Sequence, residues 1–224
     1  MLRMTLAVFR KDMTLTLLRG NGLAQALLLG LLLVFVFSLS QGIGENLSPR
    51  NAAAVFWLSS AFCQVLIFNQ LYALEEVNNS RLGLLLVPQP LQAVWLGKAL
   101  AGFVLLLLAQ CVFAPATIVF LGQSLSGHPG PAASILLLTD AGMCALGSLL
   151  GALAQSQTAR ESLLGVVLFP LLTPLLLAGT GVCAQALGGA SGEADAWIGV
   201  AAAFDAIFLA AGLLLFSFLY TGDE

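Results

Sequence analysis

Six apolar stretches, each close to twenty residues long, recur along this chain at about 23–40, 52–74, 94–121, 133–153, 163–183 and 196–219. About twenty apolar residues in a helix cross the hydrocarbon core of a bilayer. In that medium every backbone amide and carbonyl must find its partner within the protein, which leaves the helix as the natural spanning element here. The pattern predicts an all-α integral membrane protein built as a six-helix bundle. Composition supports it, since 8% of the residues are charged against roughly 25% in a soluble domain. The connections 41–51, 75–93, 122–132, 154–162 and 184–195 are too short to fold independently, so residues 23–219 read as one transmembrane domain with a short tail at 220–224.

Six spans return the chain to the side on which it began. Arg3, Arg10, Lys11 and Arg19 precede the first span, Arg81 and Lys98 accompany the 75–93 connection, and Arg160 lies in 154–162. Only Arg50 falls on the opposite face. Lysine and arginine concentrate on cytoplasmic connections, so the amino terminus, those two connections and the tail are expected in the cytoplasm. The first twenty residues carry no small-residue cleavage site and do not read as a removable signal peptide. Within 1–22, Leu2, Leu6, Phe9, Met13 and Leu17 recur at helical spacing, while Arg10, Lys11, Asp12, Thr14 and Arg19 lie elsewhere. This predicts an amphipathic interfacial helix, its basic residues Arg3, Arg10, Lys11 and Arg19 among anionic lipid headgroups, turning at Gly20-Asn21-Gly22 into the first span.

Several chemistries are excluded by what is missing. A phosphate-binding GxxxxGK[ST] loop is absent, and Lys98 follows Gly97 but precedes Ala99 inside an apolar run, so any ATP hydrolysis belongs to a partner. The one histidine, His128, sits in SGHPGP, where turn formers predominate and no second ligand for a metal or heme iron lies nearby; it reads as a solvated turn residue. No catalytic residue, metal site or nucleic-acid surface is indicated. Cys63, Cys111, Cys144 and Cys183 fall in separate apolar segments without metal-ligand spacing and read as small packing residues. Trp57, Trp95 and Trp197 lie near span ends and read as interfacial anchors.

Four features inside or beside the spans stand out. Asp140 and Asp205 are acids at a depth of roughly 12–14 Å, at 1.5 Å per residue, where a carboxylate costs a few kcal/mol unless paired, protonated or wetted. At similar depth the two could share one cavity. Pro170 and Pro174 in LFPLLTPLLL each remove a backbone donor, predicting a kinked fifth span that faces protein. Gly147 and Gly151 form a GxxxG pair suited to close helix contact. The stretch LEEVNNSRLGLLLVPQPLQAVWLGK mixes Glu75, Glu76 and Arg81 with leucines and the Pro88-x-Pro90 brake. Charged and apolar groups together suit docking on a soluble partner, with Lys98 and Arg160 contributing.

At this loop the sequence resembles the heme exporter protein B family, the permease subunit of the cytochrome c maturation ABC transporter complex of the bacterial inner membrane. The resemblance rests on the FRKD segment Phe9 to Asp12, Leu74-Glu75 closing span two, a proline-containing stretch ending in Lys98, and VVLFPLLTPLLL with Pro170 and Pro174. The 75–90 stretch is shorter than the family's and lacks its acidic Asp-Gly step. The resemblance implies an exporter-type ABC permease bundle with both termini cytoplasmic and no catalysis of its own. It further implies a cytoplasmic ATPase subunit that binds ATP, a heme-handling membrane subunit with a tryptophan-rich motif, a small single-span subunit and a heme chaperone. Heme is then a ligand handled by the complex, and this subunit couples ATP hydrolysis to release of the loaded chaperone. Other readings fit the residues too: a permease for a lipid-like or drug-like substrate, a secondary transporter using Asp140 and Asp205 as proton sites, or a membrane scaffold.

Overall fold

The structure, a computed structural model, describes residues 1–19, 21–41, 47–77, 90–127, 129–155, 160–188, 192 and 194–221. Among these residues it is all helical, with seven helices: α1 (Leu2–Arg19), α2 (Asn21–Leu39), α3 (Pro49–Val77), α4 (Gln92–Phe120), α5 (Pro129–Gln155), α6 (Arg160–Ala186) and α7 (Ala194–Thr221). Six of them, α2 to α7, are long and apolar enough to cross a bilayer. The protein is an integral membrane helical bundle.

Local chemistry explains the helix ends. Ser48 precedes Pro49, and its hydroxyl accepts from the Asn51 amide at 3.3 Å, an N-cap with proline at the first helical position. The glycines following α4 and α6, Gly122 and Gly188, take the left-handed backbone with φ of 62° and 88°, a conformation that stops a helix at little cost only for glycine. Successive spans alternate in direction. At one end Gln92 of α4 donates to the Leu213 carbonyl of α7 at 3.3 Å; at the other, Ser38 of α2 donates to the Phe120 carbonyl of α4 at 2.8 Å. Helix α1 sits at the first of these ends.

Helices α3 and α5 form the centre. Buried residues make up 72% and 78% of their spans, against 17% for α2 and 22% for α7, so the latter two are peripheral. The predicted glycine pair of α5 is used: Gly147 lies against Gln64 and Phe68, and Gly151 against Tyr72, all on α3. Phe68 is sandwiched, because Gly102 of α4 meets the same ring. Among lipid tails, apolar area provides no net attraction between helices, and such close fitting carries their association.

On α1, Thr5, Val8, Asp12 and Thr16 face inward and Leu2, Leu6 and Leu17 are exposed, while Phe9 and Met13 of the same apolar stripe are half-buried against the core. Two expectations are corrected. Trp57 and Trp95 are buried, held against Gly179 and Gly212, and only Trp197 is exposed enough to act as an anchor. Helix α6 contains Pro170 and Pro174, and these prolines are not turned to protein as expected. Its inward stripe is Leu168, Leu172, Leu175, Ala178 and Val182, so Pro170 is exposed and Pro174 only half-buried. A further proline, Pro115, lies inside α4.

A β-carbon on Gly97 would meet Val8 at 2.8 Å and the Thr5 carbonyl at 2.9 Å. Gly97→Leu should therefore dislodge α1 from α4 at a cost of about 1–3 kcal/mol. Gly199 has nothing within 4 Å of its would-be β-carbon, so Gly199→Ala serves as the silent comparison. Thermal unfolding in detergent should separate the two by several degrees.

Candidate functional site

The most unusual feature of the bundle is a charged cluster inside it. Lys98 stands about 9 Å along α4, at 1.5 Å per residue, and its side chain has no solvent exposure. Its ammonium reaches Asp12 Oδ2 of α1 at 3.2 Å, Glu75 Oε1 at the end of α3 at 3.0 Å, and the Leu71 carbonyl at 3.1 Å. Three partners match the three donors of an ammonium. The Tyr72 ring lies beneath the same Nζ with its centroid at 4.5 Å, adding a cation–π contact.

Lys11 completes the group. Its Nζ is 3.1 Å from Asp12 Oδ1 and 3.2 Å from Glu75 Oε1, so two lysines and two carboxylates form a neutral square. Burial alone would lower the pKa of Lys11; the attraction of Asp12 and Glu75 outweighs it, and the value is raised. The amine stays charged. Glu75 and Asp12 are each 1% exposed in their side chains.

From this cluster a line of polar contacts runs along α3. Tyr72 donates its hydroxyl to the Ser148 carbonyl of α5, Ser148 Oγ donates to the Trp95 carbonyl of α4 at 3.2 Å, and Trp95 Nε1 donates to the Ala145 carbonyl at 3.2 Å. About two turns further along α3, Gln64 donates to the Met143 carbonyl. The cluster is thus wired to the central pair of helices as well as to α1.

The predicted loop residues divide. Glu75 and Lys98 are taken into the cluster and present nothing to a soluble partner, because each is enclosed by the other and by α1. Arg81 and Pro88 lie outside the described residues, as does His128. Pro90 is exposed just before α4, and its carbonyl accepts from the Ala93 amide at 3.0 Å. Glu76 is in the last turn of α3 and Arg160 opens α6. Of the basic residues expected at the lipid surface, Arg3 and Arg10 are exposed and Arg19 ends α1, whereas Lys11 is spent in the cluster. Asp12 was the residue that the sequence pattern passed over, although it shares the inward stripe of Thr5, Val8 and Thr16.

The two intramembrane acids do not share a cavity. Asp140 of α5 accepts from Gln110 of α4 at 2.8 Å, while Asp205 of α7 lies against Gly142 of α5. Residues 140 and 142 are about 200° apart around a helix, so the acids address opposite sides of α5.

A family model described as CcmB protein matches residues 3–219. The chain belongs to the CcmB family. Heme exporter protein B of Rhodobacter capsulatus is 28% identical to it over 173 residues, covering 77% of this chain and 79% of that relative. The family match runs from α1 to α7 and so contains all four members of the charged cluster.

What this CcmB chain can do with the cluster is mechanical. Lys98 and Glu75 pin together the two helices that the 78–89 segment joins, and Asp12 fastens α1 to both. Lys98→Met would leave two buried carboxylates facing one lysine, a loss of about 3–5 kcal/mol. The double variant Lys98→Met with Asp12→Asn removes one charge of each sign and should recover most of that loss. Denaturant unfolding of the three proteins measures both steps.

Proposed function

We propose that this chain is the membrane permease subunit of an ABC-type complex in cytochrome c biogenesis, a non-catalytic partner of a cytoplasmic ATPase in heme export. Membership of the CcmB family supports the class of machine. The observation that carries the mechanism is the buried contact of Lys98 with both Asp12 and Glu75 at 3.2 and 3.0 Å.

On this reading the end of the bundle bearing α1 faces the cytoplasm of a bacterial inner membrane, as the crowding of basic residues at that end suggests. The ATPase docks on residues 78–89 with Arg81, assisted by Glu76 and Arg160. Glu75 and Lys98 act behind that surface and make its two flanking helices one body. Closure of the ATPase then displaces α1, α3 and α4 together, a rigid-body movement, and the Tyr72–Ser148 contact carries it to α5 and the opposite face. Heme contact and the heme chaperone fall to neighbouring subunits, consistent with the absence of a tryptophan-rich outer motif from this sequence.

Docking and transmission predict different phenotypes. In the assembled complex, Arg81→Ala with Glu76→Ala should lower recovery of the ATPase with this subunit several-fold. Asp12→Asn should leave ATPase recovery intact and depress cytochrome c maturation, because the docked loop no longer drives α1. Wild-type recovery and maturation in the Arg81, Glu76 variant would refute the docking surface.

A further inference from the structure

The carboxyl group of Asp140 is fully buried in α5, about 16 Å along the helix from Pro129 at 1.5 Å per residue. None of the ion pairs among the described residues involves it. The titratable groups that interact with it are the thiols of Cys144, on α5 itself, and Cys183 of α6, and neither offers a positive charge. Its hydrogen-bond donor is an uncharged amide: Gln110 of α4 donates through Nε2 to Asp140 Oδ1 at 2.8 Å. The same nitrogen donates to Ser60 Oγ of α3 at 3.2 Å, and Ser60 gives its own hydrogen to the Phe56 carbonyl at 2.9 Å.

One hydrogen is missing from this bridge. Both hydrogens of Gln110 Nε2 and the hydroxyl hydrogen of Ser60 are committed. Two acceptors remain, Asp140 Oδ2 and Gln110 Oε1, each buried without a hydrogen-bond partner among the described residues. They belong to the two groups already joined by the Nε2–Oδ1 bond. Ionised, Asp140 would set a full negative charge deep in a spanning helix against one neutral donor, and a buried carboxyl so placed neutralises itself by taking up a proton. A protonated carboxyl is a donor as well as an acceptor. A hydrogen on Oδ2 offers Gln110 Oε1 its donor, so a single proton removes the charge and gives both oxygens a role.

We infer that Asp140 holds a proton in the folded protein and forms a neutral carboxyl–amide pair with Gln110, a lock that joins α3, α4 and α5 through Ser60. The exchange runs both ways, with Nε2 donating to Oδ1 and Oδ2 donating to Oε1. Such a lock is of another kind than the Lys98 cluster: it fastens the same three helices deeper in the bundle and brings no charge into the hydrocarbon. Parting these helices would strand every group of the bridge in a medium without water to replace its partner. The proton is therefore a structural ligand of the bundle, and the acid needs no counter-ion.

Infrared spectroscopy of the full chain in phospholipid vesicles at neutral pH tests this, because the carbonyl stretch of a protonated carboxyl is well separated from that of a carboxylate. The wild type should show a protonated-carboxyl component that Asp140→Asn removes and Asp205→Asn retains. Asparagine presents an N–H where Oδ2 carries its proton, so Asp140→Asn should also unfold within a few degrees of the wild type. Gln110→Leu removes the partner and keeps the acid. There the component should persist and move to higher wavenumber, as a carboxyl released from hydrogen bonds does, which decides the matter even if Asp140→Asn does not fold. A wild-type spectrum without the component, or one that Asp140→Asn leaves unchanged, overturns the protonation. A component that stays in place in Gln110→Leu overturns the pairing.

Discussion

An ammonium ion buried among apolar helices must be given counter-charges, and the arrangement of this bundle follows from how Lys98 gets them. Its own helix offers none, since the run from Ala93 to Leu108 is otherwise uncharged. The acids come from elsewhere: Glu75 arrives at the last turns of α3, and Asp12 arrives because α1 packs flat against α4 where Gly97 leaves room. Desolvating four charges costs about what their attraction returns, so a buried network of this kind contributes little net stability. What it contributes is position. On α1 it adds to the packing of Val8, Phe9 and Met13 on the core, and the charges single out one register among those that packing allows.

The remaining helices are positioned by shape. Lipid is as apolar as leucine, which removes the driving force that assembles a soluble core and leaves close contact in its place. Large rings fill the notches left by glycines: Phe68 between Gly102 and Gly147, Tyr72 at Gly151, Trp57 at Gly179 and Trp95 at Gly212. Phe113 of α4 does the same at Gly30 of α2. Three of these five rings stand on α3, the helix that meets most of its neighbours in this way. The two mechanisms meet at Tyr72, whose ring rests on Gly151 and also underlies the Lys98 ammonium.

How much of this was legible beforehand depends on how local each cause is. Span length is a local property, and the six apolar runs yielded six helices. The Gly147-xxx-Gly151 spacing likewise gave a contact, though not its partner. The amphipathic pattern of α1 was read correctly as a helix, but it did not tell which side meets the bundle. Periodicity finds the stripe of Leu2, Leu6 and Leu17, but in a membrane protein an apolar stripe can turn to lipid as readily as to protein. The charged cluster was invisible for another reason. Lys98 lies 86 positions from Asp12 and 23 from Glu75, and nothing near any of them announces the others. Assigning Glu75 and Lys98 to a docking surface followed from treating the stretch between them as one exposed unit. The tryptophans misled in the same way, since Trp57 and Trp95 do lie near span ends but are claimed by glycine notches.

The positions of the polar contacts limit where the bundle can move. Along α3, Gln64 holds the Met143 carbonyl and Tyr72 holds the Ser148 carbonyl of α5, while Gln110 ties α4 to Asp140 of the same helix. Sliding α5 past α3 by any useful amount would break these bonds together in a medium that offers no water to replace them. Lys98 forbids the same displacement between α3 and α4. Helices α3, α4 and α5 must then travel as a block, carrying α1 through Asp12. Towards α2 and α7 the bonds to this block include exposed ones, Ser38 to the Phe120 carbonyl and Gln92 to the Leu213 carbonyl. On α7, Asp205 adds a carboxyl set into the Gly142 notch with one oxygen free of any partner among the described residues. Close fit is what holds helices together among lipid tails, so shape keeps α7 on the block, here at Gly142 and again where Trp95 fills the notch at Gly212.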